Sequence, residues 1–309
     1  MHLETLCIDG SVSVLFPPEL LREKLSDLPV EIVILDDSID ELSTDQGVVT
    51  LAYREAFLDA GWVHSVQAGV DRFPLDRFQE ADVYLTNSTG IHGDAIGETV
   101  ASYLLALARR LHEHVANQQR ANWSQPDWNE AWTVSGETAC VVGIGGLGRG
   151  IVDRLNGLGL DVIGVRRTPT PEPGVKKVYT PDQLQAAVSD ARFVVLAVPL
   201  TEQTRRMVGR DTFEAMREDA YLVNVARGSV VDQNALVTAL EDGSIAGAAL
   251  DVFETEPLPE SSPLWEMDDV IVSPHCGAFT RDYYEHVGAL VRESVTRIRT
   301  GDEPVNRVV

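Results

Sequence analysis

"VVGIGGLGRGIVDRLNGLGLDVIGVRRT", residues 141–168, is the stretch from which the fold can be read. An apolar run ends in Gly143-x-Gly145-x-x-Gly148, a helical pattern follows, and a second apolar run, "DVIGV", comes after it. Strand, glycine turn, helix and strand make a βαβ unit, and in that setting the three glycines have separate roles. Gly143 permits the tight turn, Gly145 lets the backbone approach a pyrophosphate, and Gly148 lets the helix pack closely on the strand. Gly146 and Leu147 stand where the helix begins, and its N-terminus offers free N–H groups and partial positive charge to phosphates. The unit is therefore expected to bind a dinucleotide.

The second strand ends in Arg166, Arg167 and Thr168. In such units an Asp or Glu about 20 residues past the glycines bonds the ribose 2′-hydroxyl, whereas an arginine there accepts a 2′-phosphate. An acid would repel that phosphate, and a guanidinium binds it with charge-assisted hydrogen bonds. The expected cofactor is NADP (NADPH), with NAD as the alternative. The plain alternative for both arginines is solvated loop charge.

Working outward, the same rhythm runs through most of the chain. Downstream, "RFVVLAVPL", "YLVNVA", "IAGAALDVF" and "VIVSPH" read as strands, and "TPDQLQAAVSD" and "DQNALVTALEDG" as helices, the former capped by Thr180 with Pro181 at its first position. Upstream, "TLCIDG", "EIVILDD", "VHSV" and "DVYLTN" are strand-sized runs, and "PPELLREKLSDL" is helical. Residues 94–122 carry one long helical pattern, read as a bridge, followed by a loop, "WSQPDWNEAW". The final helical pattern, "TRDYYEHVGALVRESVTRIRTG", can return to the first domain. The expected architecture is α/β: two Rossmann-like doubly wound parallel-sheet domains with a cleft between them. Residues 1–96 plus 284–309 form a discontinuous substrate domain, and residues 97–283 the dinucleotide-binding domain.

Composition narrows the function. The 309 residues hold 25 Lys+Arg against 48 Asp+Glu, a formal net charge of −23. Lys24, Lys176 and Lys177 are the only lysines. Nucleic acid is disfavoured as a partner, because phosphate contacts need a basic surface. At 44% hydrophobic residues the chain is too apolar for its acidity to mean disorder. A folded, acidic, lysine-poor surface reads as adaptation to high salt, as in a halophile, where concentrated cations screen the carboxylates. An ordinary acidic cytosolic enzyme is the alternative. Three scattered cysteines, Cys7, Cys140 and Cys276, suggest neither a disulfide framework nor a metal site, and a reducing cytoplasm is expected. No signal peptide is seen, and "VASYLLALARRL" meets Arg109 and Arg110 too early to span a bilayer, so no membrane partner is expected.

Three further stretches follow strands: "NVARGSVVD" (224–232), "ALDVFETEPLP" (249–259) and "VSPHCGAFT" (272–280). With the glycine fingerprint upstream, this ordered set resembles the D-isomer-specific 2-hydroxyacid dehydrogenases, which include the glyoxylate/hydroxypyruvate reductases. "NSTGIHGDAIGETVASYLLALAR" is similar to that family's interdomain segment, and "SVQAGVDRF" to its substrate-domain glycine loop.

The resemblance implies a catalytic trio of Arg227, Glu256 and His275. Chemistry supports those types: Arg227 can grip a 2-keto acid in fork geometry, His275 can donate a proton to the carbonyl oxygen, and Glu256 would orient the imidazole and favour its charged form. Backbone amides at Ala68 and Gly69 are implied to bind the substrate carboxylate beside Arg227 and His275. Cofactor contacts are implied at Val198, Pro199, Thr204, Ala226 and Asp251, the last toward the nicotinamide carboxamide. Each residue alone is more simply a solvated or loop residue; together, at the strand ends of one sheet, they offer complementary roles.

No HExxH and no Cys/His cluster with zinc spacing occurs, so no catalytic metal is expected. The implied activity is reduction of a 2-keto acid to a D-2-hydroxy acid by a homodimer. Two alternatives stay open: a formate dehydrogenase-like enzyme, against which the acid at Glu256 counts, and a non-catalytic, cofactor-sensing corepressor of the same fold.

Overall fold

The computed structural model describes residues 3–35 and 41–309. The chain divides into two compact units, one formed by Met1–Ile91 with Phe279–Val309, the other by His92–Ala278. Asp36 and Asp37, at the end of the expected "EIVILDD" strand, lie outside the described residues.

The first unit contains β1 (Thr5–Asp9), α1 (Pro18–Leu25), β2 (Glu31–Leu35), β3 (Gln46–Thr50), β4 (Trp62–Ser65), α2 (Leu75–Glu80) and β5 (Tyr84–Asn87). Its five strands form one parallel sheet in the order β2-β1-β3-β4-β5. A parallel strand covered on both faces becomes a continuous apolar run, and β1, β3 and β4 are buried along nearly their whole length.

The second unit runs through α3 (Gly93–Ala108), α4 (Leu111–Gln119), β6 (Thr138–Val142), α5 (Gly146–Gly157), β7 (Asp161–Val165) and β8 (Lys177–Tyr179). It continues with α6 (Leu184–Val188), β9 (Phe193–Leu196), α7 (Arg210–Ala215), β10 (Tyr221–Asn224), α8 (Gln233–Glu241), β11 (Gly247–Leu250) and β12 (Val270–Val272). Its seven strands are all parallel, in the order β12-β11-β10-β9-β6-β7-β8. The chain leaves β6 for β7 on one side and later places β9 on the other, so the order reverses beside β6. In open α/β sheets that switch point is where ligands bind, and the glycine loop follows it.

The last helix, α9 (Tyr283–Thr300), belongs to the first unit. It packs on α1, with Arg292 bonded to both carboxylate oxygens of Asp27 and Lys24 paired with Glu285. Beyond it, Arg307 makes an antiparallel bridge to Thr86, and Val308 donates a backbone bond to Leu85 at 2.7 Å. The edge of β5 is thereby covered.

Two expectations are corrected. The long helical pattern of residues 94–122 is two helices, α3 and α4, broken where Arg110 takes a left-handed conformation (φ 54°). The guanidinium of Arg110 is held by Glu113 and, at 2.7 Å, by Asp269, and these pairs accompany the break. The helix expected over "TPDQLQAAVSD" begins as a 3-10 turn, Pro181–Gln183, before α6, with the Gln183 side chain accepting from the Thr180 amide at 3.2 Å. Among the described residues, no helix is long and apolar enough to cross a membrane.

Candidate active site

The glycine loop comes first because the sheet switches beside it. Gly143 takes φ 101°, and a side chain there would strike the carbonyl oxygen of Ala197 at 2.6 Å. A side chain on Gly145, by contrast, would meet nothing within 4 Å. Next to that open space α5 starts at Gly146 with no side-chain cap. An uncapped helix N-terminus facing a cradle that any Cβ would fill suits a pyrophosphate. These residues fit a bound dinucleotide.

At the end of β7, Arg166 is half-buried, and Arg167 and Thr168 are exposed. Val198 and Pro199 follow β9, and the Thr204 hydroxyl donates to the Pro199 carbonyl at 2.6 Å. Ala226 is buried after β10. The expected cofactor residues thus stand at or just beyond the C-terminal ends of β6, β7, β9, β10 and β11.

The expected trio sits on three adjacent strands' exits. After β10, Asn224 shapes the turn: its Oδ1 accepts from the Ala226 amide and its Nδ2 donates to the Arg227 carbonyl, both at 3.1 Å. Gly228, the next residue, lies so close to the backbone of Phe253 that no Cβ fits. Close approach at Gly228 brings the turn carrying Arg227 against the turn that follows β11.

In that second turn, Glu256 folds back, its Oε1 accepting from the Phe253 amide at 3.0 Å. Its Oε2 lies 2.7 Å from Nδ1 of His275, which follows β12. Burial raises the Glu256 carboxyl's pKa, but the bonds from His275 and Phe253 and the charge of Arg227 outweigh it and hold the group below the usual carboxylate range. Glu256 is thereby kept as an anion against the imidazole.

His275 itself is left-handed, φ 52°, a conformation costing on the order of 1 kcal/mol for a residue with a side chain. Its surroundings over-determine it. The His275 amide donates to Ser273 O at 3.1 Å, and the amides of Cys276 and Gly277 donate to Asp251 Oδ1 and Oδ2 at 3.0 and 2.8 Å. Ser273 adds its hydroxyl to Asp251 Oδ1 at 2.6 Å and lies 2.5 Å from the Tyr103 hydroxyl. Because Ser273 spends its proton on the carboxylate, Tyr103 is the donor in that pair. Burial pushes the Tyr103 phenol up to about 12, keeping it a donor. Asp251 therefore anchors the His275 turn, while Oδ2, with one donor, keeps acceptor capacity.

Asn224, Ser273 and Tyr103 were not anticipated in the sequence. Their only signal was polar side chains in or near apolar runs: Asn224 and Ser273 at strand ends, Tyr103 within "VASYLLALA". In the first unit, the loop after β4 holds Ala68 and Gly69. Asn87 Nδ2 donates to the Ala68 carbonyl at 2.7 Å, and the Ser88 amide to Gln67 O at 3.1 Å. Among the described residues, the amides of Ala68 and Gly69 donate to nothing.

Other clusters, rings and thiols can be placed as well. His112, Glu113 and Asp269 bring ligand atoms within 4.8 Å of one another. Arg110 is bonded to both of those carboxylates, so the chain supplies its own cation there. Of the tryptophans, Trp132 stacks on Tyr221 at 5.6 Å beneath Arg192, whereas Trp123 and Trp128 are exposed. Cys7, Cys140 and Cys276 are free thiols.

Comparison with known proteins bears on the family and the fold. Residues 101–277 match the family model for the D-isomer-specific 2-hydroxyacid dehydrogenase, NAD-binding domain. A glyoxylate reductase of Thermococcus litoralis is 30% identical over 299 residues, spanning 94% of this chain and 87% of the relative. Among solved structures, a D-isomer-specific 2-hydroxyacid dehydrogenase family protein from Aeromonas salmonicida superposes with a TM-score of 0.87 at 27% identity, covering 100% of this chain and 99% of the other. An NADPH-dependent glyoxylate/hydroxypyruvate reductase from Sinorhizobium meliloti, solved with NADP and sulfate, superposes with a TM-score of 0.84 at 25% identity over 99% of this chain and 98% of that one. With its fingerprint, its paired sheets and its homologues in accord, the chain belongs to the D-isomer-specific 2-hydroxyacid dehydrogenase family.

Proposed function

We propose that the chain reduces a 2-keto acid to a D-2-hydroxy acid and that NADPH is its preferred donor. The observation that carries this reading is the Glu256–His275 pair at 2.7 Å, set one strand away from the turn bearing Arg227. With Nδ1 committed to Glu256, Nε2 is the nitrogen left to face a substrate. His275 then holds the proton that the developing alkoxide takes, and Glu256 stabilises the charged imidazole before transfer. Arg227 grips the keto acid through its fork of donors and fixes the carbonyl for attack. The Ala68 and Gly69 amides, which donate to nothing among the described residues, receive the carboxylate in this reading. A bound reduced nicotinamide supplies the hydride.

Support for NADPH comes from Arg166, Arg167 and Thr168, which stand where an acid would select NAD. The Sinorhizobium reductase is itself described as NADPH-dependent. A homodimer is part of the proposal, since Leu111, Val115, Trp123 and Trp128 leave apolar surface uncovered on α4 and the loop after it.

The test is a panel of 2-keto acids, from glyoxylate and hydroxypyruvate to branched-chain acids, assayed with NADPH and NADH in dilute and in molar KCl. Turnover with a higher kcat/KM for NADPH is expected. Turnover with NADH preferred would refute the cofactor assignment alone. Absence of turnover under every condition would overturn the enzymatic reading in favour of a cofactor-sensing protein.

A further inference from the structure

Arg166 is engaged by an anion that the chain itself supplies. Its Nη1 donates to Glu172 Oε2 at 2.8 Å, and Nε of Arg149 donates to the other oxygen, Oε1, also at 2.8 Å. Arg149 lies in the first turn of α5, immediately after the last glycine of the fingerprint, and Arg166 closes β7. One carboxylate thus ties the glycine-loop helix to the strand end at which cofactors of this class are distinguished. Glu172 arrives from the loop "TPTPEPG", flanked by Pro171 and Pro173, and its side chain is 12% exposed. Prolines on both sides restrict the loop backbone, so the carboxylate is presented rather than trailing in solvent. The two arginines hold Glu172 below its usual range, Arg149 most strongly, although burial acts in the opposite direction. Arg167, beside this cluster, is exposed and has no carboxylate partner among the described residues.

We propose that Glu172 sets the cofactor specificity of this chain: its carboxylate stands in for an adenosine 2′-phosphate on Arg149 and Arg166, and gives way to that phosphate when it binds. The proposal rests on the reading of Arg166 and Arg167 as 2′-phosphate contacts. Two guanidinium groups converging on both oxygens of one anion match what a phosphate monoester requires. The phosphate brings a charge of about −1.5 to −2 and three acceptor oxygens, against −1 and two for the carboxylate. It outcompetes Glu172 but must first break two charge-assisted bonds. A dinucleotide without the phosphate leaves the carboxylate in place as an acceptor for its ribose hydroxyl. Glu172 therefore does from a neighbouring loop what an acid at the strand end does elsewhere, and restrains the preference for the phosphorylated cofactor.

The test uses fragments that need no chemistry. Binding of 2′,5′-ADP and of 5′-ADP is measured by titration calorimetry at one fixed KCl concentration, on the full chain, Glu172→Gln and Arg166→Gln, with thermal melts to verify folding. Glu172→Gln is expected to tighten 2′,5′-ADP by about ten-fold, the scale of one charge-assisted bond, while 5′-ADP is unchanged or weaker. The ratio of kcat/KM for NADPH over NADH moves the same way. Equal effects on the two fragments, or weaker binding of 2′,5′-ADP, would overturn the proposal and make Glu172 a mere support for the arginines. If neither the full chain nor Arg166→Gln distinguishes the fragments, the reading of the arginines fails instead.

Discussion

His275 is the residue on which the proposed chemistry turns, and its fixed environment makes its removal informative. His275→Ala leaves the Asp251 bonds to Cys276 and Gly277 available, because those are backbone donors. Turnover is expected to vanish while NADPH binding, followed by fluorescence, stays within about two-fold of the parent. Near-normal rates would remove the proton-donor role. Glu256→Gln keeps an acceptor for Nδ1 but deletes the charge. An anion beside an imidazole favours its protonated form, and keto-acid reduction needs that form. Glu256→Gln is therefore expected to lower kcat for reduction by about ten-fold or more, and an unchanged kcat would show that orientation alone is at work. Arg227→Ala should raise KM and lower kcat together, by about 100-fold or more in kcat/KM, since one side chain serves both grip and alignment. A change confined to KM would limit Arg227 to uniform binding. At this scale the sequence was most legible where a residue type is tied to a chemical task. Arg166 was singled out by its place at a strand end, and Arg227, Glu256 and His275 by the family resemblance that three ordered motifs carry. Glu172 could not be picked out, because an acid in a proline-rich loop looks solvated until its two arginines are placed beside it.

Among the elements, β4 carries a buried polar group with a measurable signature. His64 bonds through Nδ1 to Thr86 Oγ1 at 2.8 Å and through Nε2 to Ser88 Oγ at 3.1 Å. Burial alone pushes its imidazole down to about 3 from an ordinary 6.5. A histidine depressed in the folded state leaves the unfolded chain as the better proton binder between those values. Its contribution is thus complete above pH 6.5 and is lost as pH falls toward 3, at up to about 1.4 kcal/mol per pH unit. Urea unfolding of the parent and of His64→Gln from pH 7 to pH 4 tests this. The variant's stability should decline with a slope shallower by one proton, and parallel slopes would refute a neutral buried His64. The elements themselves were legible where apolar runs were long and bounded, as in β6, β7, β9 and β10. Short β8 and the glycine-bearing β3 were passed over, for three to five residues of ordinary composition give little periodicity. The break between α3 and α4 was invisible for another reason: two arginines are good helix formers, and the interruption accompanies ion pairs reaching as far as Asp269.

For the whole molecule, charge is the dominant fact. With 48 acids against 25 Lys+Arg, even a full pairing of the bases leaves a net of −23. At a Debye length of about 10 Å in 0.1 M salt the surplus carboxylates repel across the surface, and at about 3 Å in 1 M salt they scarcely do. Activity and Tm are therefore expected to rise with KCl into the molar range. A flat response in scanning calorimetry would leave the acidic surface without this explanation.

The first unit has a consequence for the order in which the protein is made. It joins residues on either side of the second unit, with α9 seated on α1 and Val308 bonded along β5. A ribosome delivers β1 to β5 first, then all of His92–Ala278, and only afterwards the helix and strand that complete the earlier sheet. The contiguous unit can close as it emerges, whereas the leading segment must wait, its β5 edge unpaired, until His92–Ala278 and α9 have both been made. Released chains truncated after Ala278 should thus yield a protease-resistant second unit and a cleavable leading segment. The slow, exposed stage of biogenesis belongs to the half of the molecule that is synthesised first.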